Sequence, residues 1–558
     1  MVRRIIYLSL KKLMLPVLAA MLSLPLPAQE EVIRKEVRVV KPYEPVLEKA
    51  AKINLLPELD DTVRFMPDFT YSITPRPFLA TYKARPIRAA RIEGETIARL
   101  YKSYLKLGMG NYISPLAEFS MNNLRSKDHS LGLYFGYISS QGKVKLDNGK
   151  RVPAAYSDLK GEVYGEKYFP HATLEGKAFI ANNTVHRYGY APLLDTALVE
   201  DSIRQRYLNP GAYLHYYSSW PDSGHLNYDF RAGYDYFTGI SGNLQHAVRF
   251  TGSMDRQFDD KTVGLASDVK YFRRNAGMDS AFNTVISLQP WFSQSTSEWR
   301  LKAALDATFD VRNGNTEIRF YPKIRFQFNI VPEYLTAYIG MDGNLQTNDY
   351  RSVARENPYI SPGLQVLNTD RKMEVYGSLF GQAGAQSDYR LFGSFTLADQ
   401  MPFFVNDSVN GLGNRFTVVY DDVQIFKFSG EYAFQVGDKW SVGGRAAIYR
   451  YTMSTEAKPW NKPGFDAALR ISYNLRNKIL ARTDLFYVGS RYARSLDQPG
   501  TVLPLSGYPD INLQLEYRYT RILSFFLRFN NMAGIRYQTW NQYPSQGFRF
   551  MGGFTYSL

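Results

Sequence analysis

The chain has 558 residues, no cysteine and a formal net charge of +15. The missing thiol excludes disulfide frameworks, cysteine-ligated metal sites, thiol catalysis and a lipid anchor on a mature N-terminal cysteine. Tyr (42) and Phe (35) are abundant while charged residues make up only 21%. Yet nothing after the leader approaches the roughly 20 consecutive apolar residues of a membrane helix, so any membrane-facing surface must come from apolar residues alternating with polar ones.

The first 28 residues read as a cleavable signal peptide: Arg3, Arg4, Lys11 and Lys12 precede an apolar stretch from Leu13 to Leu26, and Ala28 offers a small residue before Gln29. A basic chain can meet nucleic acid or anionic lipid. Behind an export leader, outer-membrane lipid and lipopolysaccharide are the expected partners and nucleic acid is not.

Residues 29–100 differ from the remainder of the chain. They are charged, lack sustained periodicity and carry Pro42, Pro45, Pro57, Pro67, Pro75, Pro77 and Pro86, the marks of extended segments and turns. They are expected to form a short irregular periplasmic N-terminal extension or a partial lumen insert.

From about Lys102 to Leu558 the period becomes two. In 226–236, Leu226, Tyr228, Phe230, Ala232, Tyr234 and Tyr236 alternate with Asn227, Asp229, Arg231, Gly233 and Asp235. In 299–311, Trp299, Leu301, Ala303, Leu305, Ala307 and Phe309 oppose Arg300, Lys302, Asp306, Thr308 and Asp310. In 318–330, Ile318, Phe320, Ile324, Phe326, Phe328 and Ile330 oppose Arg319, Tyr321, Lys323, Arg325, Gln327 and Asn329. Successive strand side chains point to opposite faces, so each segment has one apolar and one polar face.

The segments run longer than the 5–6 residues usual in soluble sheets. Their connections also alternate in length. Tight ones lie at 125–129, 220–225, 257–261, 384–388, 436–440 and 474–478; long ones lie at 146–153, 189–205, 347–370, 398–414, 454–464 and 492–507. Short turns on one side and long loops on the other mark an outer-membrane barrel. The fold class expected is therefore all-β: a closed antiparallel transmembrane β-barrel of about 22 strands over 101–558. An even count places both barrel ends in the periplasm and the long loops outside the cell.

Lipid supplies no hydrogen bonds, so the sheet must close, and a central Arg on the lipid face costs about 2–4 kcal/mol. The polar faces are thereby assigned to the lumen, with Arg319, Lys323, Arg325, Arg300, Lys302 and Arg231 as candidates for anion or partner contact or for a lumenal salt-bridge network. Asp259-Asp260 and Asp421-Asp422 read as turn or loop charges, because neighbouring strand residues face opposite sides. Trp440, Trp460 and Trp540 lie near strand ends, as an interfacial girdle does; Trp460 and Trp540 would also serve as sugar-stacking platforms in outer loops.

Phe548, Phe550, Phe554, Tyr556 and Leu558 share one face of the last strand, which resembles the signal read by barrel-assembly machinery. The end of the chain (Leu527 to Met532, then Tyr537, Trp540, Tyr543-Pro544, Gly547 and Phe550-Met551-Gly552) resembles the final hairpin of TonB-dependent receptors, which implies a 22-stranded barrel for nutrient uptake. Those receptors carry a globular plug, for which 29–100 is too short. Within it, Val37, Arg38, Val39 and Val40 could imitate the segment that adds a strand to TonB. The stretches Val39-Val40-Lys41-Pro42-Tyr43-Glu44-Pro45, Pro75-Arg76-Pro77 and Leu107-Gly108-Met109-Gly110-Asn111-Tyr112 resemble plugless receptor-like outer-membrane proteins of Bacteroidota.

No H-E-x-x-H, G-x-S-x-G or phosphate-binding loop occurs, so neither enzymatic activity nor a cofactor is expected. Two roles remain. One is a receptor-like transporter, partnered by TonB or a surface lipoprotein; the other is an accessory barrel within an assembly or export complex.

Overall fold

The computed structural model describes residues 101–558 apart from 124–125, 191–199, 220–223, 277–278, 385, 409–411 and 497–500. The chain divides into two units, 1–93 and 94–558. The first lies outside the described residues, and with it the leader, most of the extension and the TonB-like segment at Val37, Arg38, Val39 and Val40.

The second unit contains one 22-stranded antiparallel sheet, each strand paired with its neighbour in sequence. It closes where the first strand, Ser103–Gly110, pairs with the last, Arg549–Ser557. Strands run from 8 residues at Ser103–Gly110 to 21 at Phe416–Val436. At the seam Gly108 lies opposite Gly553, and both glycines make room for the inward ring of Phe526. A Cβ on Gly553 would come within 2.0 Å of the Leu107 carbonyl oxygen.

Burial follows the two-residue period. On Asn315–Val331, Ile318 and Phe320 are 56% and 63% exposed on the outside, while Tyr321 on the opposite face is 2% exposed. Asp306, Thr308 and Asp310 of Trp299–Arg312 are buried on that inner face too. A wall with apolar side chains outward and buried carboxylates inward suits lipid outside and a polar lumen.

Every tight connection expected from the sequence lies at one end of the barrel. At Phe258–Lys261, Asp259 takes a positive φ of 50°. The long connections lie at the other end, alongside some tight ones such as Asn313-Gly314, where φ of 47° and 90° gives the hairpin turn that Asn-Gly favours.

Two boundaries differ from expectation. The strand Ser387–Asn406 continues through most of the segment read as the 398–414 loop. A register shift between Ala398 and Met401, with Gln400 at φ 55°, breaks the alternation there. Beyond it, Met401 to Asn406 pair with Phe416 to Asp421, so Asp421 belongs to a strand and not to a loop. Its carboxylate accepts from the Thr455 and Glu456 amides at 3.0 and 2.9 Å and ties down the 454–464 connection. The final hairpin is also wider than a tight turn. Residues 531–548 form a long connection, with a small hairpin pairing Gln538–Trp540 with Tyr543–Pro544.

Candidate functional site

The long connections fold back over the barrel mouth and share a core. Tyr188, Tyr350, Ile360, Phe404, Phe416 and Tyr543 are all buried in it. The Tyr359 and Tyr543 rings stack at 3.8 Å, Tyr188 meets Tyr543 edge-on at 4.9 Å, and Trp540 packs against Phe404 at 5.2 Å. Each phenol needs a partner once it leaves water. Accordingly Tyr543 donates to the Asn414 carbonyl at 2.6 Å and Tyr188 to the Pro544 carbonyl at 3.0 Å. Burial pushes the Tyr359 phenol up to about 12 and raises those of Tyr188 and Tyr543 well above the ordinary value.

The connection 347–368 is the main crosspiece. It leaves the strand Leu335–Gln346, returns as Thr369–Gln382, and in between reaches inner-face residues of strands far around the barrel. Its helix, Tyr350–Glu356, begins at Asp349, which with Ser352 forms a reciprocal capping box. The Asp349 carboxylate also accepts from Arg249 at 2.8 Å and from Gln245 at 2.9 Å, and the Gln245 side-chain oxygen takes the Tyr350 amide at 2.8 Å. Arg351 pairs with Asp235 at 3.0 Å. Tyr207 donates to the Pro358 carbonyl at 2.9 Å, and Asn243 to Tyr350 and to the Pro362 carbonyl. Ile360 then forms a parallel bridge with Phe416. The crosspiece is thus fixed to the wall around 207–249 and to the strand beginning at Phe416.

Trp460 and Trp540 are parts of this cap. Trp460 is 2% exposed, and its indole donates to Glu456 at 2.7 Å. Trp540 lies between Phe404 and Phe416. Neither is an open sugar platform nor a lipid-facing girdle residue. Trp440, at the short-turn end, is exposed on the outside.

The six cations singled out from the sequence lie on the inner face, and the described contacts partner all of them. Arg319 meets Asp370 at 3.0 Å, Asp310 at 3.2 Å and Glu317. Lys323 lies 3.0 Å from Asp306 and 3.7 Å from Asp342. Arg325 rests 4.5 Å over Tyr338, Lys302 4.3 Å over Trp291 and Arg231 5.0 Å over Tyr213. Arg300 donates to Ser295 at 3.3 Å. For Arg319 and Lys323 the counter-charges come from carboxylates on their own strand and on Trp299–Arg312, Leu335–Gln346 and Thr369–Gln382. Asp306 and Asp310 were visible as inward residues, whereas Asp370 was hidden in what read as a loop.

On the short-turn side the wall from Leu335–Gln346 to Ile479–Val488 borders a cavity of about 1170 Å³. It is lined by pairs of opposite charge, Arg390–Glu431 at 3.6 Å and Arg470–Asp484 at 2.5 Å. Among the described residues, no group of three or more His, Asp or Glu is placed to hold a metal ion.

On the outer face of the last strand, Phe548, Phe550 and Leu558 are exposed, and Phe554 and Tyr556 are half-buried. Phe554 pairs with Leu107 on one side and Phe525 on the other. The five residues therefore form part of the closing seam.

No family model and no curated protein matches this sequence. Solved structures do. The chain is similar to the FrpB iron transporter from Neisseria meningitidis, with a TM-score of 0.65 at 9% identity over 83% of this chain and 82% of that one. It is similar to the siderophore receptor PirA from Acinetobacter baumannii, at 0.65 and 10% over 83% and 81%. The copper transporter OprC matches at 0.59 and 13% over 83% and 81%. At such identities the likeness is one of fold.

Proposed function

We propose that this chain is an outer-membrane β-barrel transporter that takes up a ligand across the outer membrane, with its capped mouth outside the cell and the first and last residues of the barrel segment both on the periplasmic side. The observation that carries the reading is a barrel of receptor width whose mouth is spanned by its own anchored loops. A spanned mouth has a use in a protein that admits cargo only on demand. The structural neighbours are named as iron, copper and siderophore transporters or receptors, which supports transport without naming this ligand. In this reading 1–28 is the export signal, the face of Phe548, Phe550, Phe554, Tyr556 and Leu558 is read by assembly machinery, and TonB or a surface lipoprotein engages the mature protein.

The anchoring of the crosspiece at both sides also favours a second reading: a structural barrel subunit of an assembly or export complex, with the cap as its docking surface. Purification of the tagged protein from native outer membranes in mild detergent, with mass spectrometry, separates the two. Transport predicts recovery alone or with TonB or one surface lipoprotein. Stoichiometric assembly-machinery subunits would overturn it in favour of the scaffold.

A further inference from the structure

Elsewhere on the inner face, carboxylates hold many of the cations. Five consecutive strands carry, beside ion pairs such as Arg390–Glu431, a further feature. Their inward positions include Tyr338, Tyr376, Phe392, Lys427, Tyr449 and Tyr451, on the face opposite the exposed Ile339, Val375, Leu391, Phe426 and Ile448. The rings form a chain from strand to strand. Tyr338 lies 6.0 Å from Tyr376, and Tyr376 lies 6.2 Å from Phe392 with the two planes 23° apart. The Lys427 ammonium bridges the next gap, 5.4 Å from Phe392 and 5.8 Å from Tyr449. Tyr449 and Tyr451 follow at 6.2 Å with planes 16° apart.

The chain also climbs. Phe380, 6.1 Å from Tyr338, lies two residues from the short-turn end of its strand at Gln382. Tyr451 lies two residues from the opposite end of its own, at Met453. The ladder thus rises across most of the wall, starting at the large cavity, which Phe380 lines.

The geometry points to a track for a neutral linear oligosaccharide, an assignment of cargo class that rests on the transport reading above. A pyranose offers an apolar C–H face and a rim of hydroxyls that both donate and accept. Two near-parallel, half-buried ring pairs, Tyr376–Phe392 and Tyr449–Tyr451, suit the first, while Tyr338 stands at 72° to Tyr376. Charges of both signs in the cavity, with Arg390–Glu431 and Arg470–Asp484 directly paired, suit the second. A polyanion would meet five lining carboxylates, Asp388 and Asp466 among them, and a polycation three arginines, Arg390, Arg445 and Arg470. A single ring pair would be ordinary wall packing, but a chain over five strands offers repeated, sequence-tolerant contacts along a path.

The test uses the full chain in detergent micelles, where both barrel ends are accessible. Maltohexaose, cellohexaose and laminarihexaose are titrated by calorimetry against the wild type and two double variants, Tyr376→Ala/Phe392→Ala and Tyr449→Ala/Tyr451→Ala. The gentler Tyr376→Leu/Phe392→Leu is added in case the first pair fails to fold, and folding is verified by heat-modifiable gel migration. At least one hexaose is expected to bind the wild type and to lose about tenfold or more in affinity in each folded variant. Binding of none, or equal binding by folded variants, overturns the track. Bilayer conductance after cap release, measured in parallel, keeps the two readings apart. Conductance without hexaose binding rejects only the sugar, and ladder-dependent binding with no conductance rejects only transport.

Discussion

Asp349 joins the crosspiece's helix cap to two of its wall contacts, so Asp349→Ala should loosen the cap. The substitution removes the acceptor for the Ser352 amide at 2.7 Å, an N-cap loss of about 1 kcal/mol. It also removes the acceptor for Arg249 at 2.8 Å and Gln245 at 2.9 Å. Arg249 keeps Asp235 as a partner, so the charge-assisted bond counts at the lower end, about 1.5–2 kcal/mol. The N-cap and Arg249 losses alone come to about 3 kcal/mol, a shift of at least roughly 150-fold toward the open cap, to which the Gln245 bond adds. Because the chain contains no cysteine, Ala354→Cys reports alone; Ala354 is 4% exposed on the anchored helix. When reclosing outpaces reaction, maleimide labelling follows the open fraction. The Asp349→Ala/Ala354→Cys protein should therefore label roughly a hundredfold faster than Ala354→Cys. A change below threefold would refute the claim that this carboxylate holds the cap.

Other expectations come from the wall and the cap. Gly553→Val places a side chain against the Leu107 carbonyl and the Phe526 ring, so the barrel should lose its heat-modifiable band while a control Gly443→Ala, with nothing within 4 Å, keeps it. Phe320→Arg puts a charge on the outer face, where it should cost about 2–4 kcal/mol if the position is near the bilayer centre, read as a lower urea midpoint for folding into vesicles. Arg319→Met leaves Asp310 and Asp370 short of a cation and should cost about 1–3 kcal/mol. Adding Asp370→Asn should recover part of that loss, and a double-mutant cycle showing simple additivity would reject the network. The cap should be insensitive to pH near neutrality and loosen above about pH 10. A Tyr359 phenol raised from the usual value near 10 to about 12 is neutral in both states below pH 10. Between pH 10 and 12 only the released state ionises, so stability falls as pH rises. Absorbance at 295 nm should show a late class of tyrosines, and its absence would contradict their burial.

The period of two was enough to read the barrel, because lipid outside and water inside impose opposite demands on alternate residues over long strands. The same period placed Arg319, Lys323 and Arg325 inside. It could not say what they meet, since counter-charges such as Asp370 come from the neighbouring wall and depend on register. The 347–368 connection shows the limit most clearly. Its residues carry no strand period and only a helix of seven residues, and its fixing partners, Asp235, Gln245 and Arg249, lie about a hundred positions away. Tyr543, Trp540 and Trp460 are typical girdle residues in composition, but here they fill a core built from several loops. Long-range burial of this kind leaves little local trace: 347–368 holds only two aromatic residues, Tyr350 and Tyr359, a lower share than in the chain as a whole. Gln400 shows the converse. A single left-handed residue at a register shift ends the visible alternation, while the strand itself continues to Asn406. A lost period thus marks a change of register as readily as the end of a strand, and a long loop in a barrel sequence marks a candidate for the lumen as readily as one for solvent.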